Sequence, residues 1–255
     1  MNVTIIMPVY NEVEYLQAAI DSILNQTYKQ FEFIIIDDGS SLVETRKILE
    51  SQTDERIKIY YKKHEGITRA LNLGLGVATG KYIFRQDADD ISMPFRIEKT
   101  LEIFEANPNL NIVCTISNFI NENGEIVGES QYYNNITNII KEINPIIHGS
   151  VAFHYKLITE VGLYDEQFPI CQSYEYWLRI SQSYDIYMIP IVLYQFRRYS
   201  NSYTTVYSEY NKYIRESIRD LYSNNYRTKL NNYEYYKMNA KNILNIQNKQ
   251  KTTFV

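Results

Sequence analysis

The strongest constraint on this chain is an alternation, from Val3 to Phe84, between short unbroken apolar runs and segments of helical period. Val3-Thr4-Ile5-Ile6-Met7 is apolar and rich in β-branched residues, and Pro8 is expected to close it because proline has no N–H for a central ladder. Leu16, Ala19, Ile20, Ile23 and Leu24 then recur at helical spacing, with Asn11 as the expected cap and Glu14 three residues later as its capping-box partner. Phe33 to Ile36 is a second apolar run, halted by the turn chemistry of Asp37-Asp38-Gly39-Ser40-Ser41. A helix over Val43 to Leu49, a strand over Ile57 to Tyr61, a helix over Thr68 to Val77 and a strand over Tyr82 to Phe84 continue the pattern.

Strands that are apolar on both faces and alternate with helices describe an α/β fold, a mostly parallel Rossmann-like sheet covered on both sides. Ligands of such sheets gather beyond the carboxyl ends of the strands. Asp37 and Asp38 end the second strand, and Asp87, Asp89 and Asp90 follow the fourth, so both acidic clusters are expected along one edge. Further on, the spacing predicts a helix over Pro94 to Glu105, a strand over Ile112 to Ile116 and a hairpin at Asn123-Gly124. A helix over Tyr174 to Ser181 and two strands, Ile186 to Ile189 and Val192 to Phe196, complete the core. Beyond Ser202 the chain turns rich in Tyr, Asn and Lys, while Tyr207, Tyr210, Ile214, Ile218 and Leu221 keep helical spacing. C-terminal helices packed on the domain, fraying after Asn245, are expected.

A chain of 255 residues, 45% hydrophobic, can bury a core without disulfides. Its formal charge of −4 gives no general attraction for nucleic acid, and no such partner is expected. Cys114 and Cys171 lie far apart without metal-ligand spacing, so they read as reduced thiols and not as a zinc site. The N-terminus reads as a strand and not as a secretion signal, and no apolar stretch approaches the roughly 20 residues of a membrane span. A cytoplasmic protein is expected, with peripheral contact at the inner face of a membrane and homo-oligomerisation left open.

Three carboxylates in the four residues Asp87-Ala88-Asp89-Asp90 repel one another unless a cation or donors compensate them. A hard divalent ion such as Mn²⁺ or Mg²⁺, held by one or two carboxylates together with substrate phosphates, suits this cluster. On spacing alone, a solvated acidic turn ahead of the next helix is the alternative.

Three segments taken together resemble the successive signatures of family 2 glycosyltransferases with the GT-A fold. They are Val-Thr-Ile-Ile-Met-Pro-Val-Tyr-Asn-Glu over residues 3–12, Ile36-Asp37-Asp38-Gly39-Ser40, and Gly80-Lys81-Tyr82-Ile83-Phe84-Arg85-Gln86-Asp87-Ala88-Asp89-Asp90. The resemblance continues through Asn144-Pro145-Ile146-Ile147-His148-Gly149-Ser150, Val161-Gly162-Leu163-Tyr164-Asp165 and Trp177-Leu178-Arg179, and so spans roughly residues 3–200. It implies a GT-A domain over 1–202, with a nucleotide-sugar-binding half at 1–93 and an acceptor half at 94–202, and a C-terminal helical extension at 203–255. It also implies donor-binding roles for Pro8, Tyr10, Glu12, Asp38, Arg69, Asp87 and Asp89. Pro8 and Tyr10 line the base, Asp38 accepts a hydrogen bond from uracil, and Arg69 faces the phosphates; an alternative family ordering would put the arginine at Leu71. Asp87 lies near ribose and metal, Asp89 is the direct metal ligand, and His148 and Trp177 fall on the acceptor side.

The pattern breaks in two places. The family's acidic pair, whose aspartate serves as general base, falls here on Gln172 and Ser173, neither of which can take a proton near neutral pH. Glu175 is the nearest carboxylate and stands as the tentative catalytic base, with Asp165 and Glu166 as further candidates; a surface glutamate in a first helical turn is the alternative for Glu175. In Phe196-Arg197-Arg198-Tyr199, Tyr199 replaces a histidine that many relatives carry, while Arg197 or Arg198 remains a candidate for phosphate.

The expected function is sugar transfer, with inversion, from a nucleoside diphosphate sugar, UDP-linked in the first instance, to a hydroxyl of a glycan or lipid-linked saccharide. A nucleotide-sugar-binding pseudoenzyme is the alternative. A dinucleotide-binding dehydrogenase is excluded, since the first strand leads into Pro8-Val9-Tyr10-Asn11-Glu12 and lacks a Gly-rich turn.

Overall fold

The structure is a computed structural model that describes residues 2–200 and 208–222. Its strands are β1 (Val3–Val9), β2 (Phe31–Asp37), β3 (Ile57–Tyr61), β4 (Tyr82–Arg85), β5 (Ile91–Ser92), β6 (Ile112–Ile120), β7 (Ile126–Glu129), β8 (Ala152–His154) and β9 (Ile186–Arg197). Around them lie α1 (Leu16–Leu24), α2 (Val43–Glu50), α3 (Ile67–Val77), α4 (Arg96–Ala106), α5 (Ile136–Ile139), α6 (Lys156–Glu160), α7 (Gln172–Ile180) and α8 (Ser208–Tyr222).

Among the described residues the strands form one sheet in the order β3-β2-β1-β4-β8-β6-β9-β5, with β7 paired to β6. The β3-β2-β1-β4 half is parallel, and β8 joins it antiparallel to both β4 and β6. Every residue of β1 and β2 is buried, as strands covered on both faces must be. Alternation then sorts the core: Ile5 and Met7 face a cluster with Leu16 and Ile20 of α1, while Ile6 faces Leu71 and Leu75 of α3. Each such side chain contributes roughly 1.5–3 kcal/mol by leaving water. Glu32 is a charged residue within β2, and Thr4, Thr79 and Lys58 satisfy its carboxylate at 2.6–2.7 Å.

Some local expectations are corrected. β1 runs through Pro8 to Val9, because its pairing with β4 ends at Ile6 and Pro8 points its donorless nitrogen to that vacated side. Asn11 does not cap α1; it sits at φ 52°, and its Oδ1 accepts from the backbone N–H of Ser41 and Leu42, tying the β1 loop to the β2 loop. Glu12, not Glu14, reaches the entry to α1, accepting from Tyr15 N at 2.9 Å. The two strands expected after Ile186 are one, and its register against β6 shifts around Pro190 and Ile191, where a bulge absorbs the missing proline donor.

Within α8, Ile214 and Ile218 are buried in the same cluster as Trp177 of α7. Tyr207 and the chain beyond Tyr222, including the fraying expected after Asn245, lie outside the described residues. Among the described residues no helix is long and apolar enough to cross a membrane.

Candidate active site

The parallel half of the sheet delivers its loops to one edge. Register pairs Val9 with Asp37 and Ile6 with Arg85, so Asp38 and Asp87 emerge at the carboxyl ends of β2 and β4 with β1 between them. Two strand spacings put them roughly 10 Å apart.

Arg85 organises the β4 end. Its side chain is buried, and its guanidinium donates to the carbonyls of Ile6 at 2.7 Å and Gln86 at 2.9 Å, to Asp87 Oδ1, and to His148 Nε2 at 3.2 Å. One Asp87 oxygen is thereby fixed. The other lies beside Gly149, where an added Cβ would sit 2.8 Å from it and 1.9 Å from the Tyr194 hydroxyl. That hydroxyl accepts from Asp87 N at 3.2 Å, so only glycine at 149 leaves room for the arrangement.

Asp89 is half-buried, with the Tyr199 hydroxyl donating to Oδ2 at 3.0 Å. Burial, and then the like charge of Asp87, push its pKa up to about 6. Asp90 is fully buried and turned away, its Oδ1 accepting from Arg197 N at 2.7 Å; burial and the charges of Asp89 and Asp87 raise it far above the carboxylate range. Arg197, a candidate for phosphate, is committed elsewhere. It donates to the carbonyls of Asp89 and Asn121, each at 2.9 Å, and lies over the Tyr15 ring at 4.1 Å. Arg198 lies over Phe119. Glu12 sits within electrostatic reach of Asp89, and burial raises its own pKa.

Among the described residues no group of three or more His, Cys, Asp or Glu is arranged to hold an ion. The chain offers two hard oxygen donors, Asp87 and Asp89, in a like-charge pair that Arg85 and Tyr199 only partly compensate. Such a pair fits a divalent cation that completes its shell with phosphate oxygens and water.

At the β2 end, Asp38 is buried and accepts from Lys62 Nζ at 2.6 Å and from the N–H groups of Glu65 at 3.1 Å and Gly66 at 2.8 Å. Tyr10 stacks on His64, ring centroids 3.9 Å apart. Arg69, on the first turn of α3, is exposed and paired with Glu65 at 2.7 Å and Glu166 at 3.0 Å.

Burial and the neighbouring Arg85 charge hold the His148 pKa well below its usual value. His148 also meets Tyr164 OH at 3.0 Å and the Trp177 ring edge-on at 5.7 Å. Glu175 is placed differently from a general base. It is 3% exposed, both its oxygens are held by Arg179 at 2.9 Å, and the Tyr222 hydroxyl donates at 2.6 Å. Three of its four acceptor positions are taken, by Arg179 within α7 and by Tyr222 of α8, and the carboxylate is buried between these helices. Asp165 Oδ1 accepts from Gln167 N within its own turn.

Arg85, Gln86, His64, Tyr194 and Tyr164 did not stand out in the sequence. Gln86 shapes the acidic loop through Nε2, which donates to the carbonyls of Asp87 at 3.0 Å and Asp90 at 2.9 Å. Arg85, Gln86 and Tyr164 lie inside segments that carry the family resemblance, whereas His64 and Tyr194 come from stretches without such a signal.

The comparisons with known proteins agree with this architecture. A sequence model described as glycosyl transferase family 2 matches residues 4–161. The O-antigen biosynthesis glycosyltransferase WbnJ of Escherichia coli is 37% identical over 182 residues, covering 70% of this chain and 71% of that protein. Among solved structures, S. aureus TarS 1-349 in complex with UDP-GlcNAc superposes with a TM-score of 0.68 at 16% identity, covering 90% of this chain and 69% of that one. Mannosyltransferase PcManGT from Pyrobaculum calidifontis, in complex with GDP-Man and Mn²⁺, gives 0.62 at 20% identity, covering 85% and 61%. The folded sheet is thus of the GT-A kind, and the chain belongs to glycosyl transferase family 2 as a glycosyltransferase.

Proposed function

We propose that the chain moves a sugar from a nucleoside diphosphate, UDP in the first instance, to a hydroxyl of a glycan or lipid-linked saccharide, with inversion and with Mn²⁺ or Mg²⁺ bound. The observation that carries this reading is the like-charge pair Asp87 and Asp89, at the same sheet edge as Tyr10 and Asp38. The ligands named for TarS and PcManGT, UDP-GlcNAc and GDP-Man with Mn²⁺, support a nucleotide-sugar donor and a divalent ion.

In this reading Tyr10, beside Pro8, presents an aromatic face to the base and Asp38 accepts from its edge. Arg85 and Tyr199 hold the carboxylates of Asp87 and Asp89, which would bind the cation. When bound, that cation supplies a Lewis acid that neutralises charge on the departing diphosphate. Arg69 contributes by exchanging Glu65 and Glu166 for phosphate oxygens, and Glu12 adds negative charge beside Asp89. His148, neutral, and Trp177 shape the acceptor side.

A second reading, a nucleotide-sugar-binding pseudoenzyme, is favoured by one specific observation. Gln172 and Ser173 stand where a base is expected, and Glu175 is buried and held on both oxygens by Arg179, with Tyr222 on one of them. Titration of UDP with and without Mn²⁺, followed by donor hydrolysis and transfer assays on wild type and Asp89→Ala, separates the two. Turnover that Asp89→Ala abolishes supports the enzyme. Metal-dependent binding with no turnover on any acceptor supports the pseudoenzyme, and no nucleotide binding at all removes both.

A further inference from the structure

Asp38 has four acceptor positions on its carboxylate. On Oδ1 two are filled, by Lys62 Nζ at 2.6 Å and Glu65 N at 3.1 Å, and on Oδ2 one, by Gly66 N at 2.8 Å, while His64 Nδ1 lies 2.8 Å from Oδ2. Two of these donors are backbone N–H groups of the turn that opens α3, and the Lys62 side chain is 13% exposed. His64 alone reaches in from a side chain that is 50% exposed.

His64 Nδ1 also lies 3.1 Å from the Asp38 carbonyl. Both partners are oxygens that only accept, so Nδ1 carries the proton. The imidazole lies nearly parallel to Tyr10, at an interplanar angle of 18°. Tyr10 is itself 47% exposed, so the stack sits at the surface. A flat ring lies on an aromatic face with a ring N–H against the carbonyl and the buried carboxylate of Asp38, close to the contacts that a uracil ring, with its N3–H, would make at this place.

The backbone under His64 packs on the loop after β2. Gly39 adopts φ 74°, and an added Cβ there would sit 2.5 Å from His64 N, so the two loops are in close backbone contact.

We propose that His64 is a stand-in for the donor's nucleobase, occupying the Tyr10 face and the space beside Asp38 Oδ2 until the nucleotide displaces it. The inference rests on the donor reading above. Ring and base cannot share one face at stacking distance, so the donor binds against an internal competitor, and His64 sets how tightly and how selectively the base is held.

The test is calorimetric titration of the full chain with UDP in the presence of Mn²⁺, for wild type and His64→Ala, with CDP as a control lacking the N3–H. His64→Ala is expected to bind UDP about fivefold more tightly, as removal of one exposed stack and hydrogen bond implies. NMR of wild type adds a reading that needs no variant: the His64 ring protons, shielded by Tyr10, should move downfield as UDP saturates. Weaker or equal UDP binding by His64→Ala, or an imidazole still shielded at saturation, overturns the stand-in while leaving the donor reading intact. Failure of UDP to bind either protein removes the donor reading, and this inference with it.

Discussion

The Nε–H of Arg85 points at Nε2 of His148 across 3.2 Å, and because a guanidinium only donates, that nitrogen bears no proton. His148 is therefore the Nδ1–H tautomer, held neutral by burial and by the arginine's charge. Its native pKa lies below the unfolded value near 6.5. As pH falls below that value the unfolded chain takes up a proton that the native state refuses, so stability is lost by up to about 1.4 kcal/mol per pH unit. Denaturant unfolding from pH 7 to pH 5 should show this slope in wild type and not in His148→Gln, and an imidazole protonating near pH 6.5 by NMR contradicts it.

Glu32 shifts the acid side of the profile. Burial opposes its ionised form, but Lys58, Thr4 and Thr79 overcome it and bring the pKa down to about 2. A depressed carboxylate stabilises the fold above its unfolded pKa, near 4.3, and that contribution disappears as pH drops toward 2. Glu32→Gln should lose about 2 kcal/mol at pH 7 and show a flatter acid limb. An unchanged limb means that the network does not hold the proton off.

Glu175 couples two helices. Glu175→Gln removes the charge facing Arg179 and is expected to lower stability by about 2–4 kcal/mol. Where turnover is measurable, the pH profile of kcat should keep its shape. Loss of an ionisation from that profile would return Glu175 to the role of base.

Tyr199 positions a carboxylate. Tyr199→Phe removes the 3.0 Å hydrogen bond to Asp89 and keeps the ring that packs near Tyr15. Mn²⁺ affinity, read by electron paramagnetic resonance with UDP present, should change by about three- to tenfold, and Asp89→Asn should abolish it. Identical Mn²⁺ affinities in wild type and Tyr199→Phe would rule the hydroxyl out as a positioning group.

Gly149 has no room for a methyl group. Gly149→Ala places a Cβ inside contact distance of the Tyr194 hydroxyl, which must shift from Asp87 N. A loss of about 2–3 kcal/mol is expected, and near-neutral behaviour in thermal unfolding would mean that the buried tyrosine moves freely.

The sequence alone determined the parallel half of the sheet, since strands apolar on both faces and helices of period 3.6 leave few other packings for Val3 to Arg85. It also determined that Asp38 and Asp87 emerge at the same ends of their strands, because in a parallel ladder every strand delivers its carboxyl end to one edge. Tertiary structure decided which donors each carboxylate meets. Arg197 reads as a phosphate ligand until its guanidinium is seen capping Asp89 and Asn121, and Glu175 reads as a base until it is seen buried and paired with Arg179 and Tyr222. His64 drew no notice until the β3–α3 loop folded it onto Tyr10. Periodicity records which face of an element is buried, but a hydrogen bond joins atoms brought together by several segments, and no single stretch of chain encodes it.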